Sequence, residues 1–550
     1  MAGGVVVEGT SNVDRVEAPI TWKAYMICAF AAFGGIFFGY DTGWMGGVLA
    51  MPYFITLYTG HEYDYVNKLP IGVSEKDFVL PAETQSLFTS ILSAGTFFGA
   101  LIGADIADFM GRRITIIGGC LVFSVGCTLQ IASTNQEALF VLGRLIAGLG
   151  VGFISSVVIL YMSEIAPKKV RGAMVSGYQF CITIGILLAN CVVYTTKDRA
   201  DSGSYRIPVG VQYLWAVILA GGLFLLPESP RWYAKRGRLE EASHALSRVR
   251  GVPESSDFVK DELAEIVANL EYEMREIPQT SYLGSWAACF KGSLSKGNSP
   301  IRRTLLGIGL QCMQQFTGIN FIFYFGPPFL KQLGTISDPF LIAMVTTIVN
   351  VCSTPISFYI IEKFGRRALL LGGGTFMIFS QLIVGAVGVT QGRVEDNNPA
   401  AVSAMIAFIC INIAFFATTW GPTAWVVIGE IFPLPIRSRG VGLSTASNWF
   451  WNTIIGLITP YLVGETKGNL GAKVFFLWAA LCCLSVTFAY FLVPELKGLS
   501  LEQADMCMSE TTPRQSAKWR PSHTFASEMN HVAVNEEKPL ASQTVSQSPV

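Results

Sequence analysis

Long apolar stretches recur along the chain, each ended by a short run of polar and charged residues. Twelve are long enough to cross a bilayer core of about 30 Å, which takes about 20 helical residues. They cover 24–50, 85–104, 114–133, 138–162, 172–196 and 209–226, then 304–330, 339–361, 368–391, 400–428, 440–464 and 474–493. Only two charged residues fall inside them, Asp41 and Arg144. Core helices of a soluble protein would be shorter and flanked differently. The pattern predicts an all-α polytopic membrane protein with twelve transmembrane helices.

A hydrophilic stretch, 227–303, separates the sixth segment from the seventh. Arg238-Leu-Glu-Glu-Ala and Asp261-Glu-Leu-Ala-Glu-Ile-Val within it have the spacing of short amphipathic helices, and Pro253, Pro278 and Pro300 punctuate them. Short strings return across this divide. Asp108-Phe-Met-Gly-Arg-Arg recurs as Glu362-Lys-Phe-Gly-Arg-Arg, Ser163-Glu-Ile-Ala-Pro as Gly429-Glu-Ile-Phe-Pro, and Pro227-Glu-Ser as Pro494-Glu-Leu. Each copy follows the equivalent segment of its half, so the chain is a parallel repeat of two six-helix bundles. Such halves rock about a site near the midplane. The expected layout is a tail 1–23, a bundle 24–226, a linker 227–303, a bundle 304–493 and a tail 494–550. The second tail is polar and Ser-rich and is expected to be disordered beyond about 511.

Basic residues set the orientation. Arg112 and Arg113, Lys168, Lys169 and Arg171, Lys363, Arg366 and Arg367, and Arg437 and Arg439 all follow even-numbered segments. Those loops are therefore cytosolic, as are both termini. Composition agrees: charged residues make up 14%, against about 25% in soluble domains. Lys+Arg and Asp+Glu both number 39, which leaves no basic field for nucleic acid. Most cysteines lie inside apolar segments, so no disulfides are expected, and the four histidines form no metal cluster with them. No cofactor or metal is expected.

Gly103-Ala-Asp-Ile-Ala-Asp-Phe-Met-Gly-Arg-Arg, Pro227-Glu-Ser-Pro-Arg-Trp, Pro494-Glu-Leu-Lys-Gly-Leu-Ser-Leu-Glu and Gln314-Gln-Phe-Thr-Gly-Ile-Asn320 resemble the signatures of the sugar porter family of the major facilitator superfamily. The outer-loop style and Gly39-Tyr-Asp-Thr-Gly-Trp-Met resemble fungal high-affinity hexose transporters. The resemblance spans about 24–503. It implies two pseudo-symmetric six-helix bundles, a small-molecule sugar as substrate, no covalent chemistry and a plasma-membrane location.

Gln314, Gln315 and Asn320 also speak for themselves. A buried amide costs about 1–3 kcal/mol unless hydrogen-bonded, and three within seven residues fall on one broad face of a continuous helix. Amides both donate and accept, as a neutral sugar requires. The alternative is glue between helices. Gln179, Asn350, Asn448 and Asn452 lie at comparable depth in other segments. By resemblance Gln179, Asn350 and Asn448 line the sugar site, Trp425 joins them, and Phe38 and Tyr324 are apolar walls. Trp420-Gly-Pro-Thr-Ala-Trp425 predicts a Gly-Pro helix break between two indoles. Trp420 is then either a second sugar-facing indole or part of an interfacial belt.

Asp41 and Arg144 lie at similar depth below the outer ends of segments one and four. Intramembrane charges are expensive, usually pair, and often mark ion paths. They form a candidate proton switch, with the proton as co-transported ion; a purely structural pair is the alternative. Asp108, Arg112, Arg113, Glu164, Arg171, Glu228, Arg231, Glu362, Arg366, Arg367, Glu430, Arg437, Arg439 and Glu495 gather at cytosolic helix ends. By resemblance they form salt bridges between the halves that hold the outward-facing state. The sequence thus predicts a proton-coupled hexose transporter, active as a monomer. Its rivals are a passive facilitator and a glucose sensor, the latter disfavoured by the short stretch after Gln503. An ion channel is weaker still, because the candidate site lacks rings of charge.

Overall fold

The computed structural model describes residues 20–74, 78–276, 282–297, 299–332, 339–390, 398–463, 468, 470–522 and 524–525. The expected segments are helices, packed as two six-helix bundles. The first span is Trp22–Ala32 and Gly34–Val48, the second Ala82–Met110, the third Arg112–Ala132, the fourth Glu137–Ile165, the fifth Arg171–Thr196 and the sixth Gly203–Leu223. The seventh is Pro300–Phe316 and Ile319–Gln332, the eighth Pro339–Ser353 and Ile356–Phe364, the ninth Arg366–Thr390. The tenth is Pro399–Thr418 and Trp420–Glu430, the eleventh Arg437–Val463 and the twelfth Val474–Leu492. Among the described residues nine helices are long and apolar enough to cross a membrane, or ten with the eighth span, which bends by 44°. The seventh falls short because its two helices have only 17 and 14 residues.

Small residues let the helices touch. Gly35, Gly39 and Gly43 form one stripe of the first span, and a side chain at Gly39 would strike the main chain of Ile182 on the fifth. Across the seam between the bundles, span one meets seven, two meets eleven, and five meets eight and ten.

Spans seven, eight and ten are each broken, the first two where a continuous helix was expected to run. In the seventh, Gly318 takes φ +78° and ends the first half-helix. Gln314 and Asn320 therefore stand on separate helices, and the single-face argument does not hold. In the eighth, the chain bends between Ser353 and Ile356 around Pro355. In the tenth a break is present, but at Thr419 (φ −128°, ψ −84°) rather than at Gly421-Pro422. Pro422 sits in the first turn of the second half-helix, where its missing N–H costs nothing.

Linker helices Pro230–Lys235, Leu239–Arg250, Asp257–Glu276 and Tyr282–Ala288 cover the cytosolic face, joined by Leu501–Glu510 after the last span. The expected disorder beyond 511 is not what the chain does as far as Phe525. Ser516 Oγ accepts from Glu495 N–H at 2.8 Å, and Phe525 N–H donates to Glu265 Oε1 at 3.0 Å. Residues 526–550 and 1–19 lie outside the described residues.

Candidate functional site

The amides of the second bundle converge on one buried lattice. Asn448 Nδ2 donates to Gln311 Oε1 at 2.7 Å and to Gln314 Oε1 at 2.8 Å. Gln314 Nε2 donates to the carbonyls of Gly421 (2.9 Å) and Trp420 (3.2 Å), in the first turn of the half-helix that follows Thr419. Asn320 donates to Gln315 across the break of the seventh span, and Asn452 Nδ2 reaches the same oxygen at 3.3 Å. Gln179, on the fifth span, brings its amide against Gly421 from the other bundle. Asn448 Oδ1 in this lattice and Asn350 Oδ1 on the eighth span are buried without a hydrogen-bond partner. A buried acceptor left open costs about 1–3 kcal/mol, so both are places where a ligand hydroxyl gains more than it would from water.

The aromatic residues divide. Trp425 packs edge-on against Tyr178 of the fifth span, ring centroids 5.7 Å apart. Phe38 lies 4.6 Å from the ring of Trp449 on the eleventh. Tyr324 Oη donates to Asn452 Oδ1 at 3.0 Å, which also accepts from Ser93 Oγ at 2.7 Å. Trp420 is neither a free sugar-facing indole nor a belt residue. It is fully buried, and its Nε1 donates to Leu370 O of the ninth span at 2.9 Å. It contributes its carbonyl, not its ring.

Gln311 and Gln212 escaped the sequence analysis. Gln311 sits three residues before Gln314, a helical spacing that marks it as a third amide beside Gln314 and Gln315 on the first half-helix. Toward the outer side, a small cleft of about 30 Å³ opens beside Gly46, Gly47, Asn190, Phe323 and Thr347. Its lining residues Thr346 and Thr347 lie one turn outward of Asn350 on the eighth span.

Asp41 and Arg144 do meet. Arg144 Nη1 lies 3.1 Å from both carboxylate oxygens, and both side chains are almost wholly buried. Trp44 Nε1 donates to Asp41 Oδ1 at 3.1 Å, and its ring lies 5.2 Å under the guanidinium. Gln212, with its amide oriented to suit both neighbours, donates to the same carboxylate oxygen at 3.1 Å. Arg144 Nε donates to Phe88 O at 3.3 Å. The pair belongs wholly to the first bundle.

At the cytosolic end, each bundle builds the same lock from its own residues. Arg112 grips Glu164 with two bonds (2.9 and 2.8 Å) while Glu228 accepts the N–H groups of Arg112 and Arg113, both at 3.0 Å. Arg366 grips Glu430 (3.2 and 2.9 Å) while Glu495 accepts from Arg366 and Arg367 (2.9 and 3.0 Å). The expectation that these pairs join the halves is corrected: they lie within them. The side chains of Arg113, Arg367 and Arg437 donate to the carbonyls of Leu226, Tyr490 and Phe432.

Arg112 also donates across the seam to Ser438 Oγ at 3.3 Å, and other members of the expected set make the remaining crossing contacts. Asp108 accepts from Ser438 (3.2 Å) and Arg439 (3.4 Å), Arg439 pairs with Asp105 (3.2 Å), and Glu362 accepts from Ala173 N–H (3.0 Å). Arg171 donates to Leu499 O at 3.1 Å, and Arg231 pairs with Glu502 at 2.9 Å. Lys235, held by Asp108 at 2.7 Å, reaches across to Pro435 O. Asp105, Lys235, Ser438 and Glu502 were missed because single polar residues at helix ends look like ordinary surface. With these contacts made, the cytosolic side is closed.

A model of the sugar transporter family, described as "Sugar (and other) transporter", matches residues 27–507. The chain belongs to the sugar transporter family. Among its relatives, the major facilitator-type transporter ecdD of Aspergillus rugulosus is 43% identical, over 91% of this chain and 90% of its own. The high glucose sensor RGT2 of Saccharomyces cerevisiae is 39% identical over 92% of this chain, which spans 63% of the sensor's length. The probable glucose transporter rco-3 of Neurospora crassa is 38% identical, over 98% of this chain and 87% of its own. Among solved structures, the proton:xylose symporter XylE bound to 6-bromo-6-deoxy-D-glucose superposes with a TM-score of 0.72 at 24% identity, covering 88% of this chain and 98% of XylE. That match shows the major facilitator fold. A member of this family is a transporter, not an enzyme.

Two measurements follow from the cytosolic face of this sugar transporter. Glu228→Ala strips the carboxylate from two N–H groups at the start of the third span. It is expected to cost about 2 kcal/mol and to lower the melting temperature in detergent, with Glu228→Gln losing less. The second concerns Glu273, whose Oε2 accepts from Leu434 N–H at 2.8 Å. Burial first, then the charge of Asp505, pushes its carboxyl up from about 4.5 to about 8, against the pull of Arg437 and Arg303. The docked helix keeps a proton that the released helix gives up. Docking is therefore strongest below pH 4.5 and weakens as pH rises through the interval to about 8. Amide exchange in Asp257–Glu276 should quicken from pH 6 to pH 8 beyond its intrinsic rise, about fiftyfold, and Glu273→Gln should remove that excess.

Proposed function

We propose that this sugar transporter takes up a hexose, glucose being the first candidate, across the plasma membrane together with a proton. The observation that carries the sugar assignment is the amide lattice of Gln311, Gln314, Gln315, Asn320, Asn448 and Asn452, with two open acceptors at Asn350 and Asn448 and with Gln179 facing it. It offers donors and acceptors in one apolar layer without a net charge, which suits a neutral polyol. Trp425 and Phe38 provide flat apolar faces for C–H groups. Sugar hydroxyls replace the bonds that the amides now make with one another. The proton part rests on Asp41 and Arg144. Protonation of Asp41 removes the charge that holds Arg144, and sugar bound with the proton favours the passage to the inward-facing state.

Uptake of labelled glucose in cells lacking their own hexose transporters tests both parts. Saturable uptake that collapses with a protonophore is expected. Saturable uptake indifferent to the protonophore overturns symport and leaves a facilitator. The 39% identity to a glucose sensor supports a second reading, a receptor that binds sugar without net flux. Sugar binding to the purified chain with no flux in proteoliposomes would establish it.

A further inference from the structure

The last linker helix, Tyr282–Ala288, has no use in the transport scheme, yet it is placed with care. Tyr282 Oη donates to Asp105 Oδ2 at 2.6 Å, and Trp286 Nε1 donates to the same oxygen at 3.0 Å. Arg439 pairs with the other Asp105 oxygen at 3.2 Å and lies 5.8 Å over the Trp286 ring. Asp105 stands on the second span at the same helical azimuth as Phe98, Ile102 and Phe109, spaced i, i+4, i+7 and i+11. Those three apolar side chains are exposed on the outer wall of the bundle. Arg439 shares its azimuth on the eleventh span with exposed Phe450. The helix therefore straddles the seam between the two bundles on the wall that faces lipid, at its cytosolic edge.

The rest of the segment is turned outward. Tyr282 is 63% exposed, Leu283 76%, Phe290 45% and Leu294 61%. Between 282 and 303 there is no acidic residue, while Lys291, Lys296, Arg302 and Arg303 are basic. Arg303 is turned inward to Asp505, but Lys291 and Lys296 are exposed. Water would make such an apolar patch costly, whereas Tyr, Trp and bulky apolar groups beside lysines suit the headgroup boundary of a cytosolic leaflet. The patch is also continuous with the lipid-facing stripe of the second span.

We propose that residues 282–296 form an interfacial clasp that beds in the cytosolic leaflet, with Lys291 and Lys296 on anionic phospholipid headgroups, and that through Asp105 and Arg439 it holds the seam between the bundles shut. Lipid is then a ligand of the closed cytosolic side.

The test uses hydrogen-exchange mass spectrometry on the full chain in nanodiscs of phosphatidylcholine alone and of three parts phosphatidylcholine to one part phosphatidylserine. Amides of 283–297 are expected to exchange about tenfold more slowly with phosphatidylserine present. Lys291→Gln with Lys296→Gln should abolish that difference. Leu283→Asp with Phe290→Asp should speed exchange in both kinds of disc while the peptide Glu137–Ile165 stays protected, which reports an intact fold. Equal exchange in the two kinds of disc, or double variants that exchange like the parent, overturns the clasp.

Discussion

Asp41→Asn is expected to leave exchange of labelled sugar across the membrane largely intact while accumulation against a gradient disappears. The proposed switch depends on one proton being bound and released. Asparagine copies the shape of the protonated acid and can still accept from Trp44 Nε1, but it cannot take up or give back the proton. The substitution also leaves Arg144 almost fully buried without its counter-charge. Breaking a buried pair in this way costs about 3–5 kcal/mol, so a lower melting temperature should accompany the loss. Arg144→Ala is the instructive companion, because it strands the carboxylate instead and should impair exchange as well as accumulation. Proteoliposomes loaded with unlabelled glucose measure exchange, and an imposed pH gradient measures accumulation. Accumulation by the Asp41→Asn protein would refute the switch. Loss of exchange and accumulation together would mean that the pair is structural.

The second large effect is expected at Asn448. Its Nδ2 ties Gln311 to Gln314, and its Oδ1 is open. Asn448→Ala removes the tie and one proposed sugar contact together. A lost hydrogen bond to a neutral hydroxyl and the unpaired amides left behind amount to about 2–4 kcal/mol, which corresponds to a loss in apparent affinity of 30-fold or more by the usual conversion of about 1.4 kcal/mol per tenfold. Asn448→Asp keeps the size but replaces the donor with an acceptor and brings a charge, so it should be no better. Isothermal calorimetry on purified protein separates this from mere misfolding. A variant that melts like the parent yet binds glucose with unchanged affinity would remove Asn448 from the site. Gln179→Ala, whose amide touches the lattice from the opposite bundle, should weaken binding less.

Much of this was legible from spacing alone. Twelve apolar segments, the repeat and the cytosolic charge clusters are strong signals because a bilayer forbids polar backbone and charge over long stretches. Asp41 and Arg144 were legible for the same reason, as charges that must find each other. What escaped was local. The turn at Gly318 is one residue among many glycines, and only the packed structure shows that it splits the seventh span. The Gly-Pro pair in the tenth span signalled a break but misplaced it, because proline disturbs the turn before it rather than its own position. Trp420 and Trp425 look alike in sequence; only the carbonyl of Leu370 decides which indole is already used. The cytosolic arginines and glutamates were recognised as a set, but side-chain reach is invisible in sequence. Arg112 and Arg366 therefore turned out to grip mainly their own bundles, while Asp108, Arg171, Arg231, Glu362 and Arg439 of the same set span the gap together with the plainer Asp105, Lys235 and Glu502.

The matched locks have a consequence for how the molecule is made. Arg112, Glu164 and Glu228 all come from the first 228 residues, and Arg366, Glu430 and Glu495 all from the second bundle and its immediate exit. The first bundle can close its cytosolic end while the second is still on the ribosome. Joining the halves then means packing spans one on seven, two on eleven and five on eight and ten, and making the crossing contacts of Asp108, Glu362, Arg171 and Arg231.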